Sequence, residues 1–229
     1  RHTDILVIDH YEIDDDYLRE LRAILPDIRI CVIDDFTDAG RPADLIINYV
    51  LPGRARYVPL RSQFRDHRMT VREEVRRIFL STGGSDPYGM REALTACVRG
   101  TLPGTEIAVA QGVDEMAAFM ADCDLAVTAG GTTVYELCAT GVPAILYTMA
   151  DNQLSLAGGL ANVIPNAGDI REECERKQVM DRITQWLLRM AKDPHARREQ
   201  SERERSVTDG EGAGRIAREI LSLRSRDPA

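Results

Sequence analysis

The chain of 229 residues has no long apolar run; its hydrophobic stretches are strand-sized, which excludes a helix spanning a bilayer. No secretory leader opens it, so a cytoplasmic protein without membrane insertion is expected. Surplus positive charge is missing as well. With 29 Lys+Arg against 37 Asp+Glu the net charge is −8, which repels nucleic acid and anionic membranes. Cysteines are sparse: the five, Cys31, Cys97, Cys123, Cys138 and Cys174, are odd in number and widely spaced, mostly inside apolar patterns. Buried free thiols are therefore expected rather than disulfides or a zinc site. No carboxylate spacing resembles a metal cage, and Asp34-Asp35 reads as a strand-end turn, so no metal is expected. A Walker lysine, a G-x-G-x-x-G fingerprint, an internal repeat and a low-complexity linker are all lacking.

What is present is an alternation. Apolar runs at Ile5–Ile8, Ile28–Ile33, Leu45–Ile47, Ile78–Ser81, Glu106–Ala110, Leu125–Thr128 and Ala144–Tyr147 read as strands. Helical patterns at Asp16–Leu25, Gly89–Arg99, Val113–Asp122 and Thr132–Thr140 lie between several of them. Such alternation predicts a parallel α/β architecture with ligands at the carboxyl ends of the strands. Polar and glycine residues collect at those ends: Asp9-His10-Tyr11, Asp34-Asp35, Ser81 to Asp86, Gly130 to Thr133 and Asp151-Asn152-Gln153.

From Pro52 to Arg77 the chain is rich in arginine and broken by Pro52, Gly53 and Pro59, which reads as a linker. The expected division is an N-terminal Rossmann-like half at 1–70, a C-terminal nucleotide-binding Rossmann-like half at 71–208 and a terminal helix at 209–229. Arg1 stands directly ahead of an apolar strand, which predicts further sheet before it and an incomplete N-terminal half. After Asn166 the pattern reads as helical, with a stripe of Ile183, Trp186, Leu187 and Met190, a helix opened by Asp193-Pro194 and a last one after Gly210 to Gly214. The Arg/Glu run from Arg197 to Arg205 reads as a solvated helix face.

Two glycine turns carry the functional signal. Between Asp124 and Pro143 a short strand meets Gly130-Gly131, and Thr132 and Thr133 can cap a helix that has Glu136 one turn in. Free N–H groups at a helix start attract anions, and paired glycines admit a phosphate to the backbone. Gly83-Gly84, with Ser85 and Asp86 after them, repeats that logic beyond the strand ending at Ser81. The two turns either converge on one diphosphate or simply turn the chain, with Glu136 solvated.

Three blocks, VIDHY (Val7–Tyr11), LSTGGSD (Leu80–Asp86) and LAVTAGGTTVYELCATGVPAILYTMADNQ (Leu125–Gln153), together resemble the PseG family, UDP-sugar hydrolases of pseudaminic acid biosynthesis that share the GT-B fold of MurG-like glycosyltransferases. The likeness extends to about Asp169. It implies two Rossmann-like parallel-sheet domains facing a cleft, and removal of UDP from a 2,4-diacetamido-2,4,6-trideoxyhexose by water attack at C1. No metal is implied, and no cofactor beyond the UDP of substrate and product. By that likeness Gly83, Gly84, Ser85, Gly130, Gly131, Thr132 and Thr133 hold the diphosphate and Glu136 engages the ribose. Asn152 and Gln153 then lie near the sugar or phosphate, and Tyr11 near the sugar from the other half, with His10 and Asp9 beside it as candidate catalytic groups.

The family's general base, the histidine of a Gly-x-Gly-His block, has no match in this chain. His10 either helps activate water or is hydrogen-bonded locally, and Asp9 is either a site carboxylate or a turn cap. His2, His67 and His195 are expected at the surface. Two spacings are shorter than the family's, between the IIN strand and YVPLR and between EIAVA and the DEMAAFMADCD helix. A UDP-sugar is the expected partner, and oligomeric state is open. Two other functions stand beside the hydrolase: a glycosyltransferase on the same scaffold, with a sugar hydroxyl in place of water, and a non-catalytic nucleotide-sugar-binding protein.

Overall fold

A computed structural model describes residues 4–37, 39–50 and 53–225 and forms two parallel sheets. The N-terminal sheet has the order β1-β2-β3, from Ile5–Asp9, Arg29–Ile33 and Leu45–Ile47. The second has the order β5-β4-β6-β7-β8, from Glu106–Val109, Arg77–Ser81, Leu125–Ala129, Ala144–Thr148 and Asn166–Asp169. The helices are α1 (Asp15–Ile24), α2 (Met90–Thr101), α3 (Met116–Ala121), α4 (Thr133–Thr140), α5 (Asp151–Gly159), α6 (Glu173–Lys192), α7 (Pro194–Arg205) and α8 (Gly212–Ser222). No helix among the described residues is long and apolar enough to cross a membrane.

The period-2 geometry of strands sorts the second sheet into two cores. Phe79, Ala126, Ala144 and Leu146 face one cluster with α3, α4 and α5, while Ile78, Leu80, Leu125, Val127, Ile145 and Tyr147 face another with α2 and α6. Residues read from sequence as a linker belong to the first cluster: Val58, Leu60, Phe64 and Met69 are buried, two of them beside short 3-10 turns at Ala55–Tyr57 and Ser62–Arg65. Breakers without periodicity look like a tether in sequence, but each of these apolar residues finds a slot in the core that α3 and α4 share.

The N-terminal sheet is thinner. On one face Leu18 of α1 meets Ile30 and Val32; on the other, Cys31 and Ile47 meet Ile216 and Leu223, so α8 returns from the chain's far end to cover β2 and β3. That return needs a glycine. A Cβ on Gly212 would stand 2.0 Å from the Val58 carbonyl oxygen, so only a bare Cα lets α8 begin there.

Three other readings change. Asn166–Asp169 is a strand, not the start of a helical region; its NAGD sequence has little strand propensity, and pairing with β7 overrides that. Asp151–Gly159 is a helix that glycine and polar content concealed. The 197–205 run is not a solvated face, because Arg197, Gln200, Ser201 and Glu204 are all buried on α7, which packs against α4. Arg197 is held there by donating to the carbonyl oxygens of Met190, Ala191, Arg72 and Glu73. Charge without apolar neighbours hid this: a buried arginine held by carbonyls has no hydrophobic signature. Among the cysteines Cys31, Cys123 and Cys138 are buried and Cys97 half-buried, but Cys174 is exposed at the start of α6.

Candidate functional site

The register of the second sheet brings the polar strand ends side by side. Ser81 pairs with Thr128 across β4 and β6, and Ala129 with Tyr147 across β6 and β7. The loops beyond them, with Gly83-Gly84-Ser85, Gly130 to Thr133 and Asn152-Gln153, therefore leave one edge of the sheet as neighbours. Gly130 is pinned: its N–H donates to the Tyr147 carbonyl, and a Cβ there would crowd the Gln153 side chain at 3.2 Å. Gln153 in turn accepts the Met149 N–H at 2.9 Å, so its side chain fixes the β7–α5 turn.

The two glycine turns differ in what they leave free. At α2 the donors are occupied: Asp86 accepts from Met90 N at 2.7 Å and Arg91 N at 2.9 Å, acting as the helix's own anion. Gly83 takes a left-handed φ of 76°, its N–H donates to Ser81 Oγ, and Gly84 and Ser85 are exposed. Beneath them Thr82 Oγ1 is buried with no hydrogen-bond partner among the described residues. At α4 neither threonine caps the helix; Thr132 makes no side-chain cap bond, because its backbone is already helical, with φ −59° and ψ −24°. The Gly131 N–H closes the turn on the Ala129 carbonyl, but no acceptor among the described residues takes the N–H of Thr132 or Thr133. The start of α4 thus keeps donors open.

Glu136 lies on the first turn of α4, half-buried, with Oε1 3.6 Å from Arg61 Nη2. Burial pushes its carboxyl above the ordinary value, and Arg61 offsets part of that. The neighbouring Tyr135 is buried and donates its hydroxyl to the Tyr49 carbonyl at 3.0 Å, tying α4 to the end of the N-terminal half.

The N-terminal half contributes a cavity of about 510 Å³ at the carboxyl ends of β1 and β2, lined among others by Asp9, His10, Tyr11, Asp34, Asp35 and Arg41. Asp34 makes the strand-end turn expected of it, accepting from Phe36 N and Thr37 N and pairing with Arg41. Burial alone would raise its carboxyl, but those donors and Arg41 hold it below the usual range. Tyr11 donates to Asp35 Oδ2 at 2.7 Å, and Asn152 Nδ2 approaches the same hydroxyl at 3.4 Å. The bond to Asp35, then burial, keeps the phenol proton on to higher pH than usual. His10 is exposed, and its Nδ1 accepts the Glu12 N–H at 3.1 Å. That bond engages Nδ1 locally, as one of the two sequence readings of His10 had it. Asp9 is exposed at the strand end and lines the cavity.

The structure thus joins Tyr11 to Asn152 across the two halves and groups the glycine turns on one sheet edge. It adds Arg61 beside Glu136 and Phe36 packed edge-to-face on Tyr11, which motif reading passed over, and Asp35, read from sequence only as part of a strand-end turn, holding Tyr11. Asp35 and Phe36 were within reach, since they end the apolar β2 run; Arg61 was not, lying in a stretch without periodicity. His67 is half-buried with Nδ1 3.0 Å from the Gln63 carbonyl, His195 is exposed, and His2 lies outside the described residues.

No protein-family model matches the chain. A curated relative, the UDP-N-acetylglucosamine–N-acetylmuramyl-(pentapeptide) pyrophosphoryl-undecaprenol N-acetylglucosamine transferase of Methylibium petroleiphilum, is 31% identical over 162 residues. That match covers 66% of this chain but only 40% of the relative, so the chain spans less than half of its length. Among solved structures, MurG of Acinetobacter baumannii superposes with a TM-score of 0.65 at 14% identity, covering 96% of this chain and 73% of that one. A putative UDP-N-acetylglucosamine 2-epimerase from Listeria monocytogenes gives 0.59 at 13%, covering 98% and 76%. The spinosyn rhamnosyltransferase SpnG gives 0.56 at 17%, covering 94% and 72%. These likenesses establish a GT-B glycosyltransferase-type fold of two parallel-sheet domains, as the family resemblance implied. Transferases and a named epimerase share it, so the reaction has to be argued from the site.

Proposed function

We propose that the chain belongs to a UDP-sugar-dependent enzyme that breaks the bond between the sugar C1 and the diphosphate, with transfer to an acceptor hydroxyl as the leading reading. The observation that carries it is the open N-terminus of α4 beside the Gly83-Gly84-Ser85 loop. Loss of UDP develops negative charge on the departing diphosphate and positive character on the sugar ring. Preorganised N–H donors of Thr132 and Thr133 stabilise the former without reorganisation, Gly130 and Gly131 let it approach, and Glu136 accepts from the ribose hydroxyls. Asn152 and Gln153 sit where a sugar or phosphate would pass between the halves. The transferase named among the relatives supports this reading over hydrolysis.

On the opposite side a base must take the proton of the incoming hydroxyl. With Nδ1 of His10 engaged by the Glu12 N–H, Asp9 is the leading candidate in the cavity and His10 the second. Tyr11, its proton held by Asp35, faces the sugar as a hydrogen-bond acceptor.

Hydrolysis, with water in place of the acceptor, is the second reading, favoured by the VIDHY, LSTGGSD and TAGGTTVYEL blocks and their likeness to the PseG hydrolases. One assay separates the two. The protein is incubated with UDP-N-acetylglucosamine or with a UDP-2,4-diacetamido-2,4,6-trideoxyhexose, with and without candidate sugar acceptors, and UDP release is measured. Release that requires acceptor supports transfer, and release without it supports hydrolysis. Absence of UDP binding by calorimetry would remove both.

A further inference from the structure

At the mouth of the N-terminal cavity two aromatic rings stand in solvent. Tyr11 is 68% and Phe36 64% exposed, with ring centroids 6.1 Å apart. Neither belongs to the apolar clusters that hold the N-terminal sheet, so their exposure does nothing for that fold. Flat apolar faces beside a cavity with a few polar groups suit the C–H face of a pyranose.

The polar neighbours restrict which pyranose fits. Because Tyr11 donates to Asp35, its lone pairs turn across the cleft, where Asn152 of the other half lies 3.4 Å away. A ligand bound between the halves therefore meets this hydroxyl as an acceptor. The charge around it is mostly negative. Asp9, Asp15 and Asp35 line the cavity, and the lining guanidinium, Arg41, is already taken by Asp34, Asp15 and the Ile13 carbonyl. A sugar carboxylate here would meet carboxylates and a phenol acceptor with no guanidinium to spare, whereas hydroxyl, amide and ammonium groups would find acceptors.

We propose that Tyr11, Phe36 and Asp35 form a sugar subsite that accepts uncharged or amino-bearing pyranoses and rejects carboxylated ones, with Asp35 as the specificity-determining residue. The subsite rests on the nucleotide-sugar reading above and goes beyond it by assigning Asp35 and Phe36 and stating the charge rule. Asp35 acts twice: its carboxylate repels an anionic sugar, and its bond to Tyr11 sets which way that hydroxyl faces.

The test is calorimetric binding of UDP, UDP-N-acetylglucosamine and UDP-glucuronate to the protein and to its Asp35→Asn and Phe36→Ala variants. UDP should bind all three proteins alike, because neither of these residues lies on the sheet edge of the glycine turns. The unaltered protein should prefer the neutral sugar nucleotide by about tenfold or more, and Asp35→Asn should shrink that preference to roughly two- to threefold. Phe36→Ala should weaken both sugar nucleotides by about the same several-fold factor, since stacking is blind to charge. A spectrophotometric titration, with Tyr11→Phe as the blank, should show the Tyr11 phenol ionising at lower pH in Asp35→Asn, which reports loss of the bond that orients this hydroxyl. If UDP binds but the preference is absent, or survives Asp35→Asn, the subsite is wrong while the nucleotide reading stands. If the unaltered protein does not bind UDP, both fall.

Discussion

The two sheets are held by different forces. In the second, every residue of β6 and β7 is buried, and apolar layers cover both faces. In the first, no residue of β1 is fully buried, and arginine–carboxylate clasps take over: Arg41 bridges Asp34 and Asp15, and Asp44 collects Arg22, Arg29 and the Ile30 N–H. Two-sided burial makes a rigid platform on which backbone donors can stay aligned, which a diphosphate site requires. The thinner sheet leaves its carboxylates and aromatics at the surface, where they can choose a ligand.

The largest test of this contrast is pH. Burial raises Glu204, on α7 against the start of β7, from 4.5 to about 8, while it accepts from Ala144 N and Gln200. A folded-state value above the unfolded one means that its contribution is full below about pH 4.5 and falls as pH rises toward about 8, a loss of roughly 5 kcal/mol across that window. Glu204→Gln should flatten that slope in urea unfolding at several pH values; an unchanged slope would refute a neutral buried carboxyl. In the N-terminal half Asp44 runs the other way. Burial would raise it, but the Ile30 N–H, Arg22 and Arg29 hold it below its ordinary value. Its stabilisation is therefore present above about pH 4 and lost as acid protonates it.

Truncation should separate the halves next. Tyr147→Ala removes a wholly buried ring from the second sheet and should cost about 3–5 kcal/mol, whereas Val7→Ala, at a β1 position 45% exposed, should cost under about 1 kcal/mol. Equal losses by chemical denaturation would show that the N-terminal sheet is as tightly packed as its neighbour. Asp44→Ala should fall between them, at about 2 kcal/mol, since it strands an amide and two guanidiniums. The smallest effect concerns binding: Glu136→Ala should weaken UDP about tenfold and Asp9→Asn should leave UDP affinity unchanged, because the proposed nucleotide contacts lie in the second half. Equal sensitivity of UDP to both changes would dissolve that division.

The same contrast governs how far residues could be read in sequence. The seven apolar runs became strands close to their expected bounds, most plainly β6 and β7, because a parallel strand buried on both faces has to be apolar throughout. The strand ends that carry Tyr11, Gly83, Gly130 and Asn152 were legible for the same reason: polar residues interrupting such runs stand out. β8 and α5 were not, since NAGD and the glycine-rich α5 owe their conformation to neighbours.

The sequence by itself determined the alternating α/β pattern, the two glycine turns and the polar strand ends, all of which are local: spacing and residue type decide them. Only the tertiary structure decided that Asp86 fills one helix start while the other stays open, that Arg61 stands against Glu136, that the arginine-rich 53–77 stretch is a wall of the core, and that Tyr11, held by Asp35, reaches Asn152 across 141 residues of chain. Those facts depend on which surfaces meet when two sheets pack, and no periodicity in the chain records the partner on the other side.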